Sequence, residues 1–292
     1  VGAMINSYWG TLHLRASGLG EDYKHFGYYW FNPIYERTGK YNCENGLNLN
    51  KWCGFSHDDE SNKNNAKNII WGDSFGNHAV GFVEKFENKK FAQITYHSCI
   101  PLINNVIKKD SKYTKDFLEK CDLFNNNTKD YILNNKSIEK IVISSRFSIL
   151  EHMDDVEVLK TADYFVFKLE KFLDTIDREI DLKIFPPPYQ PKFDVSLCVN
   201  KIIVHGYNRN ECDFEISELN LLSKKQILFF SQLKERGLDI YPLNEVLCKN
   251  KICKALLLDT RVFLDENGHL RNDASRLLGL LQKVYSHNDI KN

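Results

Sequence analysis

The chain has 292 residues, enough to bury one sizeable core or two small ones. Its 39 basic and 39 acidic residues cancel and no basic tract breaks the balance, so nucleic acid is not an expected partner. No apolar run approaches the length of a membrane span, and the eight cysteines form no Cys-x-x-Cys or Cys/His cluster of the metal-binding kind.

Val1-Gly2-Ala3-Met4 reads as an expression scar. Residues 5–66 read as an N-terminal extension. Its first part is crowded with aromatics, among them Tyr8, Trp9, Trp30 and Phe31, but has no period, so it is expected to pack irregularly onto the body that follows. The main domain is expected over 67–292. Its first strand is the apolar run 67–71, which breaks at Gly72-Asp73-Ser74. Val80, Phe82, Val83 and Phe86 then recur at helical spacing and predict a helix to residue 87. A strand at 91–96, a helix over 112–135 and a continuous apolar strand at 140–144 follow. Next come an amphipathic helix over 162–178 and a strand at 181–185 that Pro186-Pro187-Pro188 ends. A helix over 218–236, a short strand at 238–241 and a closing helix over 273–285 complete the chain. Strands alternating with helices predict an α/β fold, with a parallel sheet covered on both faces.

The cysteines fall in sequence-local pairs: Cys43 with Cys53, Cys99 with Cys121, Cys198 with Cys212, and Cys248 with Cys253. Pairing of this kind in a loop-rich chain predicts disulfides and an oxidising compartment, although other connectivities remain open.

Chemistry is expected at the first turn. A hydroxyl at a strand-to-helix turn stands out from the carboxyl end of the sheet. The helix behind it offers unpaired N–H groups and partial positive charge, and both suit a developing oxyanion. The same residues would also serve for plain helix capping by Asp73 and Ser74. Serine needs a base and the base an orienting acid. Late in the chain Asp265 and Glu266 precede His269. His78 and His97 flank the motifs as outside possibilities.

Gly72-Asp73-Ser74 near the start and an acid-x-x-His near the end resemble the SGNH hydrolase superfamily. Further stretches are Tyr96-His97-Ser98-Cys99-Ile100-Pro101-Leu102, Ile141-Val142-Ile143-Ser144-Ser145-Arg146-Phe147-Ser148, and Cys248 with Cys253 ahead of the acid and histidine. They look like the SGNH domains fused to membrane-bound acyltransferase-3 proteins. The resemblance runs from about Cys43 to the C-terminus. It implies a flavodoxin-like three-layer α/β/α sandwich, with Ser74 as nucleophile and His269 as base. Glu266 stands where the family has its orienting Asp, and Asp265 is the alternative acid. The Ser74 N–H is the expected oxyanion donor. Residues 96–102 lack the family glycine and 144–148 the family asparagine, which leaves the Ser98 N–H and Arg146 as further candidates.

The resemblance also implies an O-acyltransferase, passing an acetyl group through an acyl-serine to a hydroxyl of a cell-envelope polysaccharide such as lipopolysaccharide O-antigen. The domain itself would bind no cofactor or metal. Its acyl donor would derive from acetyl-CoA through a covalently linked N-terminal acyltransferase-3 membrane domain. That would make it a periplasmic domain of a bacterial inner-membrane protein. A carbohydrate esterase with the same three residues and an inactive glycan-binding domain are the alternatives.

Overall fold

A computed structural model describes residues 66–96, 98–103, 114–205, 208, 210–258, 260–265 and 267–289. The expected scar and all of the expected extension but Ala66 lie outside the described residues, as do His97, Cys43 and Cys53. In chain order the elements are β1 (Asn68–Gly72), α1 (Ser74–Glu87), β2 (Ala92–Thr95), α2 (Lys115–Asn134), β3 (Lys140–Ser144), α3 (Asp155–Leu173), β4 (Asp181–Phe185) and α4 (Val195–His205). Then follow β5 (Phe214–Glu215), α5 (Leu221–Glu235), β6 (Asp239–Ile240), α6 (Leu243–Leu247), β7 (Cys248–Lys249), β8 (Ile252–Cys253), β9 (Leu256–Leu257), β10 (Thr260–Arg261) and α7 (Asn272–Asp289).

Five strands form the central sheet in the order β2-β1-β3-β4-β6. Every neighbouring pair is parallel. The expected fold class is the one observed. Burial on both faces explains why these strands read as unbroken apolar runs. Ile69 and Trp71 of β1 and Ile141 and Ile143 of β3 enter one core, while Ile70 and Val142 enter the other. The first core is roofed by α2, α3 and α5, and the second by α1, α4, α6 and α7. The chain leaves β1 toward β2 on one side and returns past β1 to β3 on the other. Right-handed crossovers therefore put α1 and α2 on opposite faces. The reversal opens a crevice at the carboxyl ends of β1 and β3, where doubly wound sheets bind ligands.

Local chemistry explains the helix ends. Thr114 caps α2 by accepting from the Phe117 N–H at 3.2 Å. Asp154 caps α3 in a reciprocal box with Glu157. That box starts α3 seven residues before the predicted 162, and the helix ends at Leu173 rather than 178. Helix α4 lies in a stretch that carried no predicted element. Its start is marked by Asp194, whose Oδ1 accepts from the Leu197 N–H at 2.9 Å. At the foot of the sheet the buried Lys140 ammonium meets Glu87 at 2.7 Å and Asp181 at 2.9 Å, which ties the far end of α1 to β3 and β4.

Three of the four expected disulfides lie among the described residues: Cys99–Cys121, Cys198–Cys212 and Cys248–Cys253. Cys99–Cys121 ties the loop after β2 to α2, and each closure stabilises by about 2–4 kcal/mol. Among the described residues no helix is long and apolar enough to cross a membrane.

Candidate active site

The site begins with Gly72, the last residue of β1. A Cβ there would fall 1.7 Å from the Ser144 carbonyl oxygen, so only glycine lets β1 pass the end of β3 this closely. The Asp73 N–H then donates to that same carbonyl at 3.2 Å. Asp73 does cap α1, accepting from the Phe75 N–H at 2.8 Å. Its other oxygen accepts from the Ser145 hydroxyl at 2.6 Å and the Arg146 N–H at 2.9 Å. Burial pushes the Asp73 carboxyl above the usual carboxylate range, against the pull of these three donors. Asp73 thus ties the turn at β1 to the turn at β3.

Ser74 follows as the first residue of α1. Its N–H has no carbonyl one turn back within the helix to pair with, so it faces outward at the positive end. The Ser74 hydroxyl does not cap. Its Oγ lies 2.8 Å from His269 Nε2. On the other side of the ring, Nδ1 lies 2.9 Å from Asp265 Oδ2. A carboxylate only accepts, so Nδ1 carries the proton and the Nε2 lone pair faces the hydroxyl. That is the tautomer a general base requires.

The acid in contact with His269 is therefore Asp265, the alternative of the two expected acids and four residues back rather than three. Glu266 lies outside the described residues. Asp265 also organises its own loop, since Oδ1 accepts from the Asn267 N–H at 3.0 Å and the His269 N–H at 3.1 Å. Gly268 adopts φ +79°, a left-handed conformation that glycine takes without strain and that fits the extra residue between acid and base. Burial alone would raise the Asp265 carboxyl, but the bonds from His269 outweigh it and hold the group below the usual range.

Several side chains brace this loop, and sequence reasoning had singled out only some of them. The Gln190 amide donates to the Asn267 carbonyl at 2.9 Å, from the loop after β4. Arg146 Nη1 donates to Asn267 Oδ1 at 3.2 Å, from the loop after β3. Phe75 and His78, both on α1, lie with ring centroids 4.6 and 4.9 Å from His269. His78 Nδ1 meets the Leu270 carbonyl at 2.5 Å. Nothing in the periodicity marked Gln190 or Asn267, because their partners are distant in sequence.

The expected oxyanion donors are placed as follows. The Arg146 N–H is already given to Asp73, which leaves only its guanidinium, and that braces Asn267. Ser98 is exposed at φ +54°, in the loop after β2. That loop is tied to the turn by the Tyr96 N–H, which donates to the Gly72 carbonyl at 3.0 Å. Among the described residues no three His, Cys, Asp or Glu side chains gather as metal ligands.

A family model described as the SGNH domain (fused to AT3 domains) matches residues 39–281. The match begins inside the stretch assigned above to the extension. No curated protein sequence matches the chain. Among solved structures, the periplasmic domain of a lipopolysaccharide acetyltransferase from Salmonella ser. Paratyphi A is similar, with a TM-score of 0.57 at 16% identity. The alignment covers 78% of this chain and 85% of that one. At that identity the likeness is one of fold.

Proposed function

Since this chain belongs to the family of SGNH domains fused to AT3 domains, we propose that it is an O-acyltransferase domain that acetylates a cell-envelope polysaccharide. The observation that carries this reading is the unbroken line from Ser74 Oγ through His269 to Asp265, at 2.8 and 2.9 Å. In the first half-reaction Ser74 Oγ attacks the acyl carbonyl while its proton passes to His269 Nε2. The imidazolium formed is stabilised by Asp265. The Ser74 N–H at the head of α1 receives the oxyanion, with the Ser98 N–H and the Arg146 guanidinium as candidate second donors. Collapse expels the donor's leaving group, which takes the proton from His269, and an acyl-serine remains. In the second half-reaction a sugar hydroxyl gives its proton to His269 Nε2 and attacks the acyl-serine carbonyl. Release of the O-acetyl sugar returns the proton to Ser74.

On this reading the domain is periplasmic and works beside a covalently linked membrane domain. That partner delivers an acyl group derived from acetyl-CoA. An envelope glycan such as O-antigen is the acceptor on this reading, and the Salmonella protein of similar fold is named a lipopolysaccharide acetyltransferase.

The test is Ser74→Ala in the full-length protein, with polysaccharide acetylation read by NMR of the purified glycan. Loss of the O-acetyl signal is expected, and undiminished acetylation overturns the proposal. Release of acetate from an aryl acetate, with and without oligosaccharide, separates transfer from hydrolysis. Sugar-independent release assigns the domain to the esterases.

A further inference from the structure

Helix α1 carries two polar side chains one turn apart, Ser74 and His78, and residues so spaced share a helix face. The proposed reaction uses the first. The second is buried, at 4% relative exposure. It directs Nδ1 at the carbonyl of Leu270, the residue after His269, and lies with its ring 4.9 Å from the His269 ring. We propose that His78 is a positioning residue for His269, holding the strand of chain just after the imidazole so that Nε2 stays on Ser74 and Nδ1 on Asp265. The inference rests on the reading of Ser74 and His269 as nucleophile and base.

The chemistry of the contact fixes the protonation. A carbonyl oxygen can only accept, so His78 Nδ1 bears a hydrogen, and the neutral ring leaves Nε2 as a lone pair. Burial, with His269 close by, pushes His78 down to about 3, so at working pH it adds no positive charge beside a ring that must itself become cationic.

The anchor is itself anchored. The Ser275 hydroxyl of α7 donates to the His78 carbonyl at 2.5 Å and accepts from the Phe82 N–H at 2.9 Å. The turn of α1 that bears His78 is thereby held against α7, the helix that follows the His269 loop. The loop also carries the Leu264 N–H on the His269 carbonyl at 2.7 Å and the Arg271 N–H on the Val262 carbonyl at 3.0 Å. Both join the loop to its own other arm. Ser74 and Phe75 of α1 touch the His269 side chain itself, whereas His78 holds the loop's backbone, at the Leu270 carbonyl, to the helix that carries the nucleophile.

His78→Phe keeps a buried ring and removes the donor, whereas His78→Asn keeps a side-chain N–H near the position of Nδ1. For His78→Phe, kcat is expected to fall about tenfold to a hundredfold with KM near the parent value, since small misplacements of a catalytic group cost that much. The downfield proton resonance of His269 Nδ1–H on Asp265 should broaden or vanish in His78→Phe. Both properties should return in His78→Asn. Parent kcat and parent resonance in His78→Phe would overturn the proposal, and so would a His78→Asn protein as impaired as His78→Phe. Should His78→Phe not fold, nitrogen shifts of His78 in the parent decide: Nδ1 must be the protonated nitrogen, and the opposite tautomer refutes the role. These resonances do not depend on acyl transfer, so failure of the transferase reading and failure of this one are separately visible.

Discussion

Two carboxylates precede His269 in sequence, and Asp265, four residues back, lies 2.9 Å from its Nδ1. Asp265 spends one oxygen on Nδ1 and the other on the backbone N–H groups of Asn267 and His269, so a single side chain both closes the loop and orients the ring. The family spacing favoured Glu266, but spacing counts residues and not the path between them. With Gly268 in the left-handed region, the path brings the earlier and shorter acid to the imidazole. Asp265→Asn is expected to lower kcat by about 10²- to 10⁴-fold, because an amide in its place no longer enforces the productive tautomer. Glu266→Gln is expected to stay near the parent rate. Steady-state assays of the two variants check this, and the reverse pattern would hand the role back to Glu266.

At the scale of elements, the turn joining β1 to α1 is held in place by what lies beside it. Gly72 permits the close pass of β3, and Asp73 then secures that pass with bonds to Ser145 and Arg146. Gly72→Ala would force a methyl group onto the Ser144 carbonyl and is expected to destabilise the fold by about 3 kcal/mol or more. Urea denaturation measures this, and an unchanged midpoint would mean that the strands can separate at no cost. Apolar period located most of the central strands and the long helices, but it missed where α3 starts and did not see α4 at all. Both starts are set by aspartates that reach forward to backbone N–H groups, Asp154 and Asp194, and a hydrophobic pattern does not register them.

For the molecule as a whole, the cost of keeping an imidazole dry appears as acid sensitivity. His78 in the unfolded chain takes a proton near its ordinary value of about 6.5, whereas the folded protein refuses it until about 3. Below about pH 6.5 the unfolded state therefore binds the extra proton, and stability falls with pH by up to roughly 1.4 kcal/mol per unit. Asp265, held low by His269, adds loss at the acid end as it protonates, while Asp73, raised by burial, works in the opposite sense. The difference between parent and His78→Asn isolates the first effect. Denaturation free energies measured from about pH 7 down to about pH 4.5 should fall more steeply for the parent, and parallel lines would show that His78 is not the buried base.

By itself the sequence determined the class of fold, because alternating apolar runs and helical periods are local signals that a covered parallel sheet preserves. It also put neighbouring cysteines together as Cys99–Cys121, Cys198–Cys212 and Cys248–Cys253, and it marked Ser74 and His269 as residues to be sought in one place. Only the tertiary structure showed that the Asp265 carboxylate meets His269, that the Arg146 N–H is occupied by Asp73, and that Gln190, Asn267 and His78 hold the loop. For the carboxylate the reason is the local path that Gly268 gives the loop, and for the others it is range. A period or a turn is written in adjacent residues, whereas a hydrogen bond across about 70 to 190 positions exists only once the crossovers have brought β1, β3, β4 and α7 to a common rim.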